Sequence, residues 1–242
     1  LFVRVEPVSG ETLYDVGFDW AESLKGQANG WARLWGPEGD YRLRADVNTD
    51  AGRVKVRGEL PDEGITRIAI STDRVKLDEL IGGAPNVVAN GTVELTSDDR
   101  APDVLGVAIE TEGFQYESFY VPPFVAKLRA RDSGLDIDSI VADYSGGELY
   151  LDGKVAYEGV TEIHARGDIP NVSDDPNFAQ FVSGLEADAE FDLNIRQTVG
   201  GKFETKGRIR FDDFEYGSLR AHFLILEGRV WGDPFAPRVD LQ

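Results

Sequence analysis

The chain has 242 residues, room for one large domain or two ordinary ones, with 41% hydrophobic and 29% charged residues and a formal net charge of −19. That charge argues against nucleic acid and against simple adhesion to anionic headgroups, while 10% aromatic residues argue against disorder. The absence of cysteine excludes disulfides and thiolate metal sites.

The opening LFVRVEP and the lack of methionine lead us to expect a segment of a longer protein, without a signal peptide. Glycine-containing turn signals then recur at short intervals, and runs with period-two alternation lie between them. Asn29-Gly30, Glu38-Gly39-Asp40 and Asp50-Ala51-Gly52 come first, as hairpin turn candidates. VKVRGELPDEGITRIAI (54–70) reads as a hairpin, with Val54 and Val56 on one face. DELIGG, from Asp78, suits a single helical turn. Asn90-Gly91 is the next turn candidate, and TVELTSDD sets Val93 and Leu95 against Thr92, Glu94 and Thr96. YVPPFVA (120–126) cannot lie in a central strand, because two prolines remove ladder donors. Ser133-Gly134 precedes LDIDSIV, which opposes Leu135 and Ile137 to Asp136 and Asp138.

After Ser145-Gly146-Gly147, LYLDGKVAYEGVTEIHA (149–165) repeats the earlier hairpin with Leu149, Leu151 and Val155 on one face and Glu158-Gly159 at the break. SDDPNFAQFVSGLE (173–186) is the best helix candidate: Ser173 caps, Pro176 suits the first turn, and Phe178, Phe181 and Val182 share a stripe. AEFDLNIR places Phe191, Leu193 and Ile195 together, and GRIRFDD, after Gly200-Gly201, adds Ile209 and Phe211. Phe223 to Leu226 form the longest uninterrupted apolar run, far too short to span a membrane. Phe223 and Ile225 are assigned to the apolar face here. GVAIET from Gly106 and GKFETK from Gly201 share the offset between the two hairpins, so approximate internal repeats of about 95 residues run over 54–148 and 149–242.

Chemistry is sparse. His164 and His222 are the two histidines, both within strand-like runs, and read as packing or wet-face residues. No serine sits in a nucleophile elbow and no glycine-rich phosphate loop opens a helix. The pairs Asp98-Asp99, Asp136-x-Asp138, Asp174-Asp175 and Asp212-Asp213 lack calcium-loop spacing and read, among 44 acids, as solvated turns and strand ends. Trp20, Trp31, Trp35 and Trp231 are expected in a core or lining an apolar groove, with sugar stacking as the other use. No catalysis, metal or cofactor is expected. Many strands with one apolar face each must close into a sandwich or barrel, or line a long groove.

The hairpins VKVRGELPDEGITRIAI and LYLDGKVAYEGVTEIHA, the unit VKLDELIGGAPNVVANGTVELTSD and the G-x-P-x-x-P step in LEGRVWGDPFAPRVDLQ resemble the AsmA-like, TamB-type (translocation and assembly module) proteins of diderm bacteria. The resemblance covers most of residues 40–242 and implies an all-β fold: a long antiparallel meander curled into a β-taco-like groove of repeated units, with one or two short helices. It implies phospholipid transport between inner and outer membranes through the periplasm and a part in outer-membrane biogenesis. An Omp85-type partner and an inner-membrane anchoring helix would both lie outside this segment. Phospholipid acyl chains are then the expected ligand, against the sixteen apolar residues assigned above from Val54 to Ile225. A chaperone-like scaffold for outer-membrane protein strands and a carbohydrate-binding β-sandwich are the alternatives.

Overall fold

The structure, a computed structural model, describes residues 2–9, 11, 23–84, 86–116, 119–175, 177, 184–198, 201–233 and 236–241. It divides into two units, Leu1–Val121 and Pro122–Gln242. In the first, β1 (Phe2–Ser9), β2 (Gln27–Trp35), β3 (Asp40–Thr49), β4 (Gly52–Pro61), β5 (Ile65–Lys76), β6 (Val88–Asp98) and β7 (Ala101–Thr111) form a meander in chain order. One helical turn, α1 (Leu77–Leu80), follows β5, and a small hairpin, β8 (Phe114–Tyr116) with β9 (Phe119–Val121), follows β7. In the second unit β10 (Phe124–Arg131), β11 (Gly134–Tyr144), β12 (Gly147–Ala156), β13 (Thr161–Ile169), β14 (Leu185–Gln197), β15 (Phe203–Tyr216), β16 (Leu219–Asp233) and β17 (Ala236–Leu241) do the same. Within each meander every strand pairs antiparallel with its neighbours in sequence, and neither meander closes on itself. The fold is an all-β antiparallel meander.

Local chemistry explains most boundaries. Pro122 and Pro123 stand between β9 and β10, outside any ladder, as their missing donors require. The two expected hairpins are β4–β5 and β12–β13. Tyr144 and Gly147 close a two-residue turn in which Ser145 (φ 51°) and Gly146 (φ 82°) both have positive φ, the type I′ geometry that matches strand twist. Asn29-Gly30 and Asn90-Gly91, however, are not turns: they lie inside β2 and β6. Glycine is needed there because a Cβ would overlap the Asp46 or Glu110 carbonyl oxygen of the adjacent strand. The 148/149 repeat boundary falls inside β12. Of the expected helix, Ser173 lies in a 3₁₀ turn (Val172–Asp174) and Leu185 and Glu186 begin β14, while Pro176, Phe178, Phe181 and Val182 lie outside the described residues.

Among the described residues there is no deep core: twelve apolar side chains are buried, and six of them are alanines. The chain exposes 15659 Å², whereas two separate compact globules of half its mass would together expose roughly 13,000 Å². The second unit does hold one packed cluster, in which Val172 of the 3₁₀ turn covers Ile169, Leu185, Ala187 and Ala189, with Phe191, Phe211 and Phe214 against it.

Asp175 fastens that cover. Fully buried, it accepts hydrogen bonds from Tyr144 Oη (3.0 Å), Ser145 Oγ (2.6 Å) and the Asn177 backbone N–H (2.9 Å). The expectation of a solvated acid fails here, because the carboxylate is held by donors supplied from the I′ turn. Burial first, then the hydrogen bond to Asp175, pushes the Tyr144 hydroxyl up to about 12 against the opposing donation from Asn177, so it remains a donor at neutral pH. Asp175→Ala strands these donors and is expected to cost about 2 kcal/mol, read by denaturant unfolding. Amide exchange should accelerate around Val172 and Ser145; unchanged exchange would show that the carboxylate holds nothing in place.

Candidate functional site

Residues facing each other across an antiparallel ladder share a face, so the register sorts every strand residue. In the first unit one row runs Ala32–Ala45–Val56–Ile70–Val93–Ile109, and the next runs Leu34–Leu43–Gly58–Ile68–Leu95–Val107. Val54 pairs with Val47 and Thr72 on the same face. In the second unit Leu149–Gly167–Phe191–Ile209–Leu226 and Leu151–Ala165–Leu193–Gly207–Gly228 form two rows. A third runs Gly153–Ile163–Ile195–Thr205–Val230, and Leu135 with Val155 extends the same face. No charged residue interrupts these rows. Val54, Val56, Val93, Leu95, Leu149, Leu151, Leu193 and Ile195 are all half-buried, neither sealed in a core nor fully wet.

The reverse faces carry the charge. Arg129 grips Asp138 through both Nε and Nη2 (3.0 and 2.5 Å), Arg131 meets Asp136 at 3.1 Å and Arg229 meets Glu204 at 2.6 Å, all across adjacent strands. The acids of the LDIDSIV run are thus paired rather than merely solvated. No family model, curated protein or solved structure matches the chain.

Fourteen of the sixteen expected lining residues fall on the apolar faces, Ile137 and Phe211 among them. Ile137 is buried, and Phe191 and Phe211 pack on the cluster under the 3₁₀ turn, so these three belong to a core as much as to a lining. Phe223 and Ile225 are corrected: they pair with Asp212 and Arg210 on the charged face, and Phe223 is 60% exposed. Leu224 and Leu226 take their place, opposite Phe211 and Ile209. Ile140 is an unforeseen member, facing Leu151 because a bulge shifts the β11 register between Ile137 and Ile140. The tryptophans are corrected too. Trp31, Trp35 and Trp231 pair with Asp46, Arg42 and Glu204, and so stand on charged faces rather than in a core or groove; Trp20 lies outside the described residues.

A depression of about 890 Å³ lies on the charged face of the second unit, among Tyr150, Arg166, Asp192, Arg208 and Arg210. Its lining of opposed charges suits water and not hydrocarbon. Among the described residues no group of three His, Cys, Asp or Glu side chains is placed to hold a metal ion.

His164 joins three strands on that face. Its Nε2 lies 2.8 Å from Asp192 Oδ1, and its Nδ1 lies 3.3 Å from Asp152 Oδ1. The hydrogen bond to Asp192, aided by Asp152 and opposed by partial burial, raises its pKa above the ordinary 6.5. The charged ring's contribution to stability is therefore fully present below about pH 6.5 and is lost as pH rises through the higher folded value. Melting temperature should fall across that window in the native chain and not in His164→Gln. Parallel curves for the two would leave the Asp–His–Asp row without energetic weight.

Proposed function

We propose that this chain is a non-enzymatic, lipid-conducting segment whose apolar faces solvate phospholipid acyl chains. One observation carries the reading: rows of half-buried apolar side chains, uninterrupted by charge, cross every described strand from β2 to β7 and from β11 to β16. At a strand spacing of about 4.8 Å, each six-stranded strip extends roughly 24–29 Å. A single tail spans about half of a 30 Å hydrocarbon core, so each strip exceeds its length. Moving a tail through water costs about 0.8 kcal/mol per CH₂, or roughly 12 kcal/mol for fifteen groups, and an apolar strip removes most of that barrier without chemistry.

The sequence motifs similar to AsmA-like, TamB-type proteins support the same reading, in which the segment would work in the periplasm of a diderm bacterium and serve outer-membrane biogenesis. The anchor and any Omp85-type partner belong to other parts of such a protein. The test is mass spectrometry of organic extracts from the purified chain beside an unrelated acidic β protein. Phospholipid in near-stoichiometric amount is expected. A lipid-free extract would reject conduction, and co-purifying peptide in its place would assign the face to outer-membrane protein strands held during assembly.

A further inference from the structure

The first unit carries a concentration of positive charge that the net charge of −19 conceals. On the face opposite the apolar rows, Arg33, Arg44 and Arg57 stand directly across from one another on β2, β3 and β4. Arg42 and Lys55 flank them, on β3 and β4. Like charges placed opposite each other across strands are destabilising, so this row opposes folding unless something neutralises it. Two of the acids on this face, Asp46 and Glu59, are already engaged. Asp46 accepts two hydrogen bonds from Arg53 (2.8 and 2.6 Å), and Glu59 faces Arg67 at 3.8 Å. The Arg53 hydrogen bond, with the charges of Arg53, Lys55 and Arg44 behind it, holds Asp46 below the usual carboxylate range. Among the described residues, Arg33, Arg42, Arg44, Lys55 and Arg57 form no ion pair; β2 to β5 together carry nine cations and four acids, an excess of five positive charges.

Aromatic rings frame the row. Arg33 lies over the Trp35 ring at 5.1 Å, Arg44 lies 6.0 Å from the Trp31 ring, and Phe2 stacks on Trp31 at 6.4 Å. Phe2 remains 64% exposed and Trp35 37% exposed. The three guanidiniums span roughly 10 Å across the strands, and the two tryptophans lie about 14 Å apart along β2. Guanidinium forks match phosphate oxygens bidentately. An inorganic anion has no use for exposed aromatic edges, whereas tryptophan is enriched at membrane–water interfaces, where flanking cations meet the phosphates. The chain's acids elsewhere are screened beyond about 8 Å, so they do not cancel attraction at contact.

We propose that this arginine–tryptophan face of the first unit docks on an anionic phospholipid surface, with Arg33, Arg44 and Arg57 on phosphates and Phe2 and Trp35 in the interfacial layer. It lies on the reverse side of the sheet from the apolar rows and does not depend on them. The 242-residue chain should sediment with vesicles of phosphatidylcholine plus phosphatidylglycerol and not with phosphatidylcholine alone. Arg44→Gln with Arg57→Gln should lower partitioning roughly thirtyfold, about 1 kcal/mol for each cation. The same variant should melt no lower than the native chain, since it relieves repulsion. Arg100→Gln with Arg238→Gln removes equal charge elsewhere and should partition as the native chain does. Equal partitioning into both vesicle types, or an equal loss in the two double variants, would overturn the proposal. So would pyrophosphate perturbing the tryptophan fluorescence of a chain that ignores vesicles, which marks a free-anion site. Leu151→Asp should still bind vesicles, which separates this result from the fate of the lipid-conduction reading.

Discussion

Leu151→Asp is expected to strip phospholipid from the purified chain while leaving the meander folded. Leu151 faces Ile140 on β11 and Ala165 on β13, in the middle of an uncharged row that continues to Leu193. It is half-buried, so an aspartate there keeps partial access to water and costs roughly 1–2 kcal/mol of stability. An acyl chain laid over the same position must either cover the carboxylate, at several kcal/mol, or lift off that part of the row. The effect on occupancy therefore exceeds the effect on folding, and Leu193→Asp on the same row should repeat it. Phe223→Asp is the matched control, because Phe223 is 60% exposed on the charged face. The ratio of phospholipid to protein should collapse in the first two variants and stay native in the third. Native occupancy in Leu151→Asp would remove the apolar row from any transport role.

Gly153→Ala is expected to destabilise the second unit by about 3–4 kcal/mol, among the largest single-residue losses in the chain. Gly153 has φ 140° beside the β11–β12 bulge, and a Cβ would overlap the Glu162 carbonyl oxygen of β13, with the Ile163 Cα 2.9 Å away. Backbone cannot yield there without breaking the ladder. Gly58 is its counterpart, since 54–70 and 149–165 align with Gly58 opposite Gly153. A Cβ on Gly58 meets the Leu43 Cβ at 3.3 Å and nothing closer, so Gly58→Ala should change stability by less than about 1 kcal/mol once the gain in chain stiffness is counted. Thermal or urea unfolding of the pair decides the matter. Equal losses at both positions would mean that sequence alignment, and not local backbone geometry, sets the cost.

Strand parity makes much of the fold and the apolar face legible in the sequence alone. AEFDLNIR and GRIRFDD alternate cleanly, so Phe191, Leu193, Ile195, Ile209 and Phe211 were assignable one strand at a time. Phe223–Leu226 offers four apolar residues in a row, and only the pairing of Leu226 with Ile209 says which two face inward. Ile140 escaped because a bulge changes parity without leaving a mark in composition. The arginine row escaped for a different reason. Its members lie eleven and thirteen positions apart, and they meet only when three strands take their register. Asp175 carries no signal at all, since its burial depends on donors thirty residues earlier in the chain.

The meander order within each unit also bears on how such a chain comes to be folded. Because each strand of a meander pairs with the one just before it, no ladder waits for a distant segment, and most loops that must close are only a few residues long. Hairpins can form as the chain emerges, each offering its free edge as the template for the next strand. A polypeptide delivered amino end first, whether from a ribosome or through a membrane channel, can thus zip up behind its leading hairpin. Half-delivered intermediates expose only the outer edges of their first and latest strands rather than a whole unsatisfied sheet.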